Sequence, residues 1–238
     1  MHGDILLIAH SHWCAGRLKP LLAAKGYRIT WCCPAREDCL PSAHGDFAGT
    51  IVLGGPESAN DVDSKPYLRR ELEWIERHVA DDHRFLGICL GGQLLARALG
   101  ARVDRHPDGL SEIGYYPIHP TASGAPLIPA GLRVYHWHKE GFELPSGAEL
   151  LACGEAFPHQ AYRYGSKIYG LQFHPEVTPA VASTWIKSTP DLARRPGAQN
   201  EAEQMAAGSR FDAPLHDWFD GFLDHWLAPA EARAAAAE

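Results

Sequence analysis

One stretch constrains this chain more than any other: Phe85-Leu-Gly87-Ile-Cys89-Leu-Gly91-Gly92-Gln93-Leu-Leu-Ala-Arg-Ala-Leu-Gly100. Residues 85–88 form a short apolar run of strand length. Leu94, Leu95, Ala98 and Leu99 recur at helical spacing, and Gly100 is a C-terminal stop. Between the two lies a single cysteine in the pattern Gly-x-Cys-x-Gly. The pattern predicts a sharp strand-to-helix turn, with glycine where the turn is tight and the helix packs close to the sheet. That turn exposes the cysteine at the carboxyl end of a strand. It also puts Cys89 at a helix N-terminus, where free N–H groups and the positive dipole end favour the thiolate. Cys89 is therefore a candidate nucleophile, against the plainer reading of a buried cysteine in a glycine-rich loop.

Around this unit the chain alternates strand and helix. Residues 4–9 read as a buried strand. Residues 17–26 carry Leu18, Leu21 and Leu22 at helical spacing and end on Gly26. Residues 27–33 and 47–53 return as strands, the second running into Gly54-Gly55-Pro56. A helix starts at about Pro66, with Leu68, Leu72, Ile75 and Val79 on one face. Its proline suits the first turn, where a missing N–H costs nothing. Such alternation implies α/β architecture: an open, mostly parallel sheet flanked by helices. Ligands of such sheets bind at the carboxyl ends of strands, where Gly54, Gly55 and Cys89 lie.

The middle of the chain changes style. Residues 112–119, 132–142, 149–154, 161–164 and 167–173 are short runs rich in aromatic and β-branched residues, separated by glycine and proline. They are expected to be strands, a few of them antiparallel. Thr178 is expected to cap a short helix from about Pro179 carrying Val181 and Trp185. Residues 189–213 are polar with little periodicity and read as a surface excursion. Residues 214–228 form an amphipathic helix with Leu215, Trp218, Phe219, Phe222, Leu223, Trp226 and Leu227 on one face and Asp212 as its expected cap. The tail from Ala230 is expected to fray. No internal repeat is present, and residues 1–238 are expected to make one domain.

Composition excludes several classes. There are 22 basic and 29 acidic residues, a formal net charge of −7, and no strong basic cluster, so a nucleic-acid partner is not expected. The N-terminus lacks the charged and apolar regions of a signal peptide, and no apolar run approaches membrane-spanning length. The six cysteines are scattered. Only Cys32, Cys33 and Cys39 cluster, without the Cys-x-x-Cys pairs of zinc sites; they are read as reduced thiols of a cytoplasmic protein.

A thiol nucleophile needs a base, and the base needs an orienting group. His174 and Glu176 lie two apart at the end of a strand, in Gly170-Leu-Gln-Phe-His174-Pro-Glu176, so their side chains leave the same face. A carboxylate so placed can hold one imidazole nitrogen while the other faces a thiol. An N–H group of the Gly54-Gly55-Pro56 loop, otherwise an ordinary turn, could then face a developing oxyanion.

Taken together, Leu53-Gly-Gly-Pro56, Gly87-Ile-Cys-Leu-Gly-Gly-Gln93 and Gly170-Leu-Gln-Phe-His-Pro-Glu176, in this order and spacing, resemble the class I glutamine amidotransferase family. Glu112-Ile-Gly-Tyr and His136-Trp-His138-Lys-Glu-Gly-Phe-Glu-Leu-Pro145 are similar to segments of its freestanding members, and the chain resembles the glutaminase domain of GMP synthase. The resemblance implies a flavodoxin-like sheet and no cofactor. It makes Cys89 the nucleophile, His174 the base and Glu176 its partner. It places the N–H groups of Gly55 and Leu90 in the oxyanion hole and Gln93 and Gly54 against a small-molecule γ-glutamyl substrate. Where relatives often have histidine before this glutamine, the chain has Gly92. An α/β-hydrolase fits less well, because there the acid precedes the histidine. With no synthetase after it, the chain is expected to hydrolyse a γ-glutamyl amide or peptide alone, or to serve a separate synthetase chain.

His136 and His138 share a strand face and could bind a metal, but no carboxylate or cysteine at ligand spacing joins them, so no metal site is expected. By the same resemblance His138 is placed near the mouth of the site, and His136 is left structural. Trp137 and Phe142 are read as packing residues.

Overall fold

The computed structural model describes residues 3–10, 15–36, 40–41 and 46–229. Cys14, Cys39 and the tail from Ala230 lie outside the described residues. Eight strands form the main sheet: β1 (Gly3–Ile8), β2 (Tyr27–Cys32), β3 (Gly49–Val52), β4 (Phe85–Ile88), β7 (His119–Pro120), β10 (Ala148–Cys153), β11 (Ala161–Tyr164) and β12 (Ile168–Leu171). Their order is β2-β1-β3-β4-β12-β11-β10-β7. The first five are parallel, and the last three join antiparallel. This parallel half has the flavodoxin-like order, whose ligands bind beyond the carboxyl ends of the strands. Two further ribbons are separate: β5 (Val103–Arg105) with β9 (Glu140–Phe142), and β6 (Glu112–Pro117) with β8 (Arg133–His138). The strand at β5 was not expected from its sequence.

Period-two alternation in β1 builds both layers. Ile5 and Leu7 face a core with Leu18, Leu21 and Leu22 of α1 (Leu18–Ala24). Leu6 and Ile8 face the other core with Leu68, Trp74 and Ile75 of α2 (Pro66–Ala80) and Leu94 and Leu95 of α3 (Leu90–Ala98). Strands buried on both faces need helices on both sides, which the βα connections provide.

Helix α4 (Pro179–Ser188) starts where expected, and the Thr178 side chain accepts the Val181 N–H. The C-terminal helix differs. Helix α5 runs from Glu201 to Leu227, so the polar stretch is an excursion only as far as Asn200, which caps it in a reciprocal capping box with Glu203. Asp212 is inside the helix and pairs with Arg17 instead of capping. Pro214 also lies inside the helix, and contacts further back hold the turns before it. Gln204 accepts from the Tyr135 hydroxyl, and Gly208 lies against the Tyr115 ring. The segment before α5 packs on β6, where Gln199 bonds both the N–H and the carbonyl of Tyr115.

Candidate active site

Strand β4 delivers Cys89 at φ 51°, ψ −107°, a left-handed conformation that L residues rarely adopt. Holding such a residue costs on the order of 1–3 kcal/mol, and the surroundings must enforce it. The glycines show how. A Cβ on Gly91 would stand 2.1 Å from the Val52 carbonyl oxygen, and one on Gly87 2.4 Å from that of Gly91. Helix α3 therefore sits directly on the strand ends, with Cys89 immediately before its first turn, whose N–H groups, that of Leu90 among them, have no partner within the helix. The Gly92 carbonyl accepts the buried Tyr162 hydroxyl at 2.9 Å.

The turn after β12 brings His174 and Glu176 to the same place. His174 Nδ1 is 2.8 Å from Glu176 Oε1, and the Cys89 sulfur lies near enough to its ring to favour the charged imidazolium. Both residues are buried. Burial pulls the imidazolium down, but the Glu176 carboxylate and the Cys89 sulfur outweigh it and push its pKa up to about 10. The turn is clamped from below by α1. The Arg17 N–H bonds the Glu176 carbonyl at 2.9 Å, and the Arg17 guanidinium holds the Val177 carbonyl at 2.7 Å and the Asp212 carboxylate. Gly16, at φ +51°, leaves no room for a side chain: a Cβ there would be 1.9 Å from the Glu176 carbonyl oxygen.

The loop after β3 closes the site. Gly54 lies against His174 and Cys89, since a Cβ on it would be 2.7 Å from His174 Cε1 and 3.4 Å from Cys89 Cβ. Gly55 lies between His10 and Leu90. A buried pair braces this loop: His10 Nε2 is 3.0 Å from both oxygens of Glu71, and its Nδ1 faces the Gly54 carbonyl at 3.4 Å. Burial pulls His10 down, yet Glu71 raises it above the ordinary histidine value. Nothing in the sequence singled out this pair, because its members lie 61 residues apart.

Gly54, Gly55, Cys89, Leu90, Gln93, His138, His174 and Glu176 all line one cleft of about 280 Å³. Trp137 and Trp185 form an aromatic wall, and Thr189, Leu192 and Arg195 of the polar segment reach its rim. Gln93 is turned into the wall, donating to the Glu140 carbonyl at 2.9 Å and Gln172 Oε1 at 3.3 Å. Gln172 in turn points its amide at the Cys89 sulfur, 3.9 Å away. Sequence reasoning passed over Gln172, which directly follows β12 and lies two residues before His174. It also missed a carboxylate. Glu112 does join the histidine pair, 3.0 Å from His138 Nε2 and 3.5 Å from His136 Nδ1.

This arrangement holds a thiol, an imidazole and a carboxylate in series at a helix N-terminus, which is what acyl transfer to sulfur requires. No helix among the described residues is long and apolar enough to cross a membrane. Residues 27–188 match the family model for glutamine amidotransferase class-I. The glutamine amidotransferase-like protein YfeJ of Salmonella typhimurium is 38% identical over 162 residues, 65% of this chain and 67% of that protein. One of the subunits of the glutamine-hydrolyzing GMP synthase of Thermococcus kodakarensis is 42% identical over 134 residues, 54% of this chain and 66% of that one. The crystal structure of a glutamine amidotransferase from Thermotoga maritima superposes with a TM-score of 0.87 at 27% identity, covering 96% of this chain and all of that one. The chain belongs to the class I glutamine amidotransferase family.

Proposed function

We propose that this chain hydrolyses a γ-glutamyl amide or peptide bond through a thioester on Cys89. The observation that carries the reading is His174, buried between Glu176 on Nδ1 and the Cys89 thiol at the head of α3. In the first step the thiolate attacks the γ-carbonyl carbon. Backbone N–H groups of Gly55 and Leu90 take the oxyanion, as dipoles fixed before the reaction begins. His174, protonated, gives its proton to the departing ammonia or amine, and the C–N bond breaks. It then takes a proton from water, which attacks the γ-glutamyl thioester and releases glutamate and the thiol. Glu176 orients the ring and stabilises its charged form. The glutamyl head lies by Gly54, Gly55 and Leu90, with Gln93 bracing the wall beside it. The leaving amine projects toward His138 and the tryptophan wall. A thiol nucleophile of this kind suits a reducing compartment, so the cytoplasm is its expected location.

A second reading has one specific support: relatives named as single subunits of a glutamine-hydrolyzing GMP synthase. In it the chain releases ammonia for a separate synthetase chain. The two separate in a competition assay of glutamine against γ-glutamyl amides and peptides on the isolated chain. The first reading expects larger γ-glutamyl compounds to be cleaved with higher kcat/KM than glutamine, since the cleft extends past the reacting centre. A preference for glutamine, with turnover rising on addition of a co-purifying synthetase, supports the second. No turnover of any γ-glutamyl compound, with or without such a partner, overturns both.

A further inference from the structure

The cleft wall that carries His138 holds a second constellation, for which the proposed reaction has no use. Glu112 on β6 pairs directly with His138 on β8, and His136 lies two residues before it on the same strand face. His138 Nε2 stands 3.0 Å from Glu112 Oε2 and 3.1 Å from His136 Nδ1, and the third side of the triangle is 3.5 Å. All three side chains are at most 4% exposed.

We propose that Glu112, His136 and His138 bind a divalent first-row transition metal ion, with zinc the best match to two imidazole nitrogens and one carboxylate oxygen. The size is close. Zinc holds such donors at about 2.0–2.2 Å, and two ligands of a tetrahedron are then about 3.3–3.6 Å apart. One side, 3.5 Å, matches that, and the other two, 3.0 and 3.1 Å, are a few tenths shorter.

Proton counting points the same way. His138 Nδ1 lies 3.0 Å from the Glu140 carbonyl oxygen, which can only accept. Nδ1 therefore carries a proton, and Nε2 faces both Glu112 Oε2, an acceptor, and His136 Nδ1. A proton on either facing nitrogen can lie along only one side of the triangle, whereas a cation in the centre meets all three atoms together.

The outer contacts are those of a held ligand set. Histidines on metals commonly donate their second nitrogen to a carbonyl, as His138 does, and ligating carboxylates accept hydrogen bonds. Gln160 supplies one to Glu112 Oε2 at 2.8 Å. Phe157 stands edge-on to His138 with ring centroids 4.7 Å apart, and Tyr116 edge-on to His136 at 5.7 Å, which fixes both rings. The ion would act as a clamp. The Glu140 carbonyl that anchors His138 also anchors Gln93, so fixing His138 fixes this side of the cleft.

The test is metal analysis by plasma mass spectrometry on the full chain, after equilibration with zinc chloride and desalting. The expected result is about one zinc per chain, falling below about a tenth in Glu112→Gln and in His136→Asn, as for loss of one ligand of three. Cys89→Ala must keep its zinc, because a thiol beside an imidazole is itself a zinc trap. Cobalt(II) added to metal-free wild type should give the visible absorption of a site with few ligands, unchanged by Cys89→Ala. That measurement stands even if the ligand variants fail to fold. Wild type with less than about a tenth of a zinc overturns the proposal. So does zinc that leaves with Cys89→Ala and stays in Glu112→Gln.

Discussion

Two histidine–carboxylate clusters line the same cleft, and they use the same residue types differently. At the elbow, His174 has one nitrogen on Glu176 and the Cys89 sulfur near its ring, so it stands between a carboxylate and a thiol. In the β6–β8 ribbon, His138 has one nitrogen on a carbonyl and the other aimed at Glu112 and His136 together. A histidine between two different acceptors moves a proton; histidines whose lone pairs converge hold a cation. The charges follow. The carboxylate and sulfur raise His174 to about 10, whereas burial lowers His136 to about 3. Residue type and i, i+2 spacing are shared by both clusters, so the direction of the second nitrogen sets the chemistry.

The comparison breaks hardest at Cys89. Cys89→Ala should abolish γ-glutamyl hydrolysis, a loss on the order of 10⁴ or more for a nucleophile that acts as a unit with its base. It should leave folding and the second cluster untouched. Brief iodoacetamide treatment should modify Cys89 before Cys33 or Cys153, although those two are more exposed. Peptide mapping reads the order, and prior labelling of either would remove Cys89 as the nucleophile.

A smaller effect is expected at Glu176. Glu176→Gln keeps shape but removes the charge on His174, so turnover should fall by about 10²–10⁴. The pH dependence carries the more specific signature. The folded pKa of His174 is raised from 6.5 to about 10. Its charged pair with Glu176 therefore stabilises the fold fully below about pH 6.5, and that contribution is lost as pH rises through about 10. The melting-temperature gap between wild type and Glu176→Gln should be wider at about pH 6 than at about pH 10. The alkaline limb of kcat/KM should move to lower pH in the variant. A limb unmoved by the substitution would detach Glu176 from His174.

The contrast also explains what could be read from the chain beforehand. The elbow cluster is local in sequence: Gly-x-Cys-x-Gly needs its glycines for backbone reasons, and His174-Pro-Glu176 lies in one turn just beyond β12. Both were legible, with the alternating strands and helices that bring them together. The second cluster was not. Glu112 reaches His138 only through the register of an antiparallel ladder, and 15 residues separate the two strands. The His10–Glu71 brace was hidden for the same reason. At α5 the local signals were present but misranked. Asp212 reads as a cap, whereas Asn200-Glu-Ala-Glu203 is the capping box. Tertiary contacts at Gln204 and Gly208 decided between them.

The smallest expected effect tests whether the two clusters rest on separable scaffolds. Asn200 Oδ1 accepts the Glu203 N–H at 3.0 Å, and Glu203 Oε2 accepts the Asn200 N–H at 2.7 Å. Asn200→Ala removes the first of these bonds and should cost about 1 kcal/mol, which lowers the melting temperature by about 2–4 °C for a chain of this size. The loss should be unevenly spread. Gln199, next to the cap, bonds Tyr115 on β6, and Gln204 in the first turns takes the Tyr135 hydroxyl on β8. Fraying the start of α5 therefore loosens the ribbon that presents Glu112, His136 and His138. The elbow is tied elsewhere, by α1 under Glu176 and by the Leu171 carbonyl on the Cys89 N–H at 2.8 Å. Hydrogen exchange should show faster opening of amides in β6 and β8, with those of β4 and α3 unchanged. Asn200→Asp should restore most of the protection, since aspartate caps equally well. Faster exchange in α3 as well would show that the two clusters share one scaffold and open together.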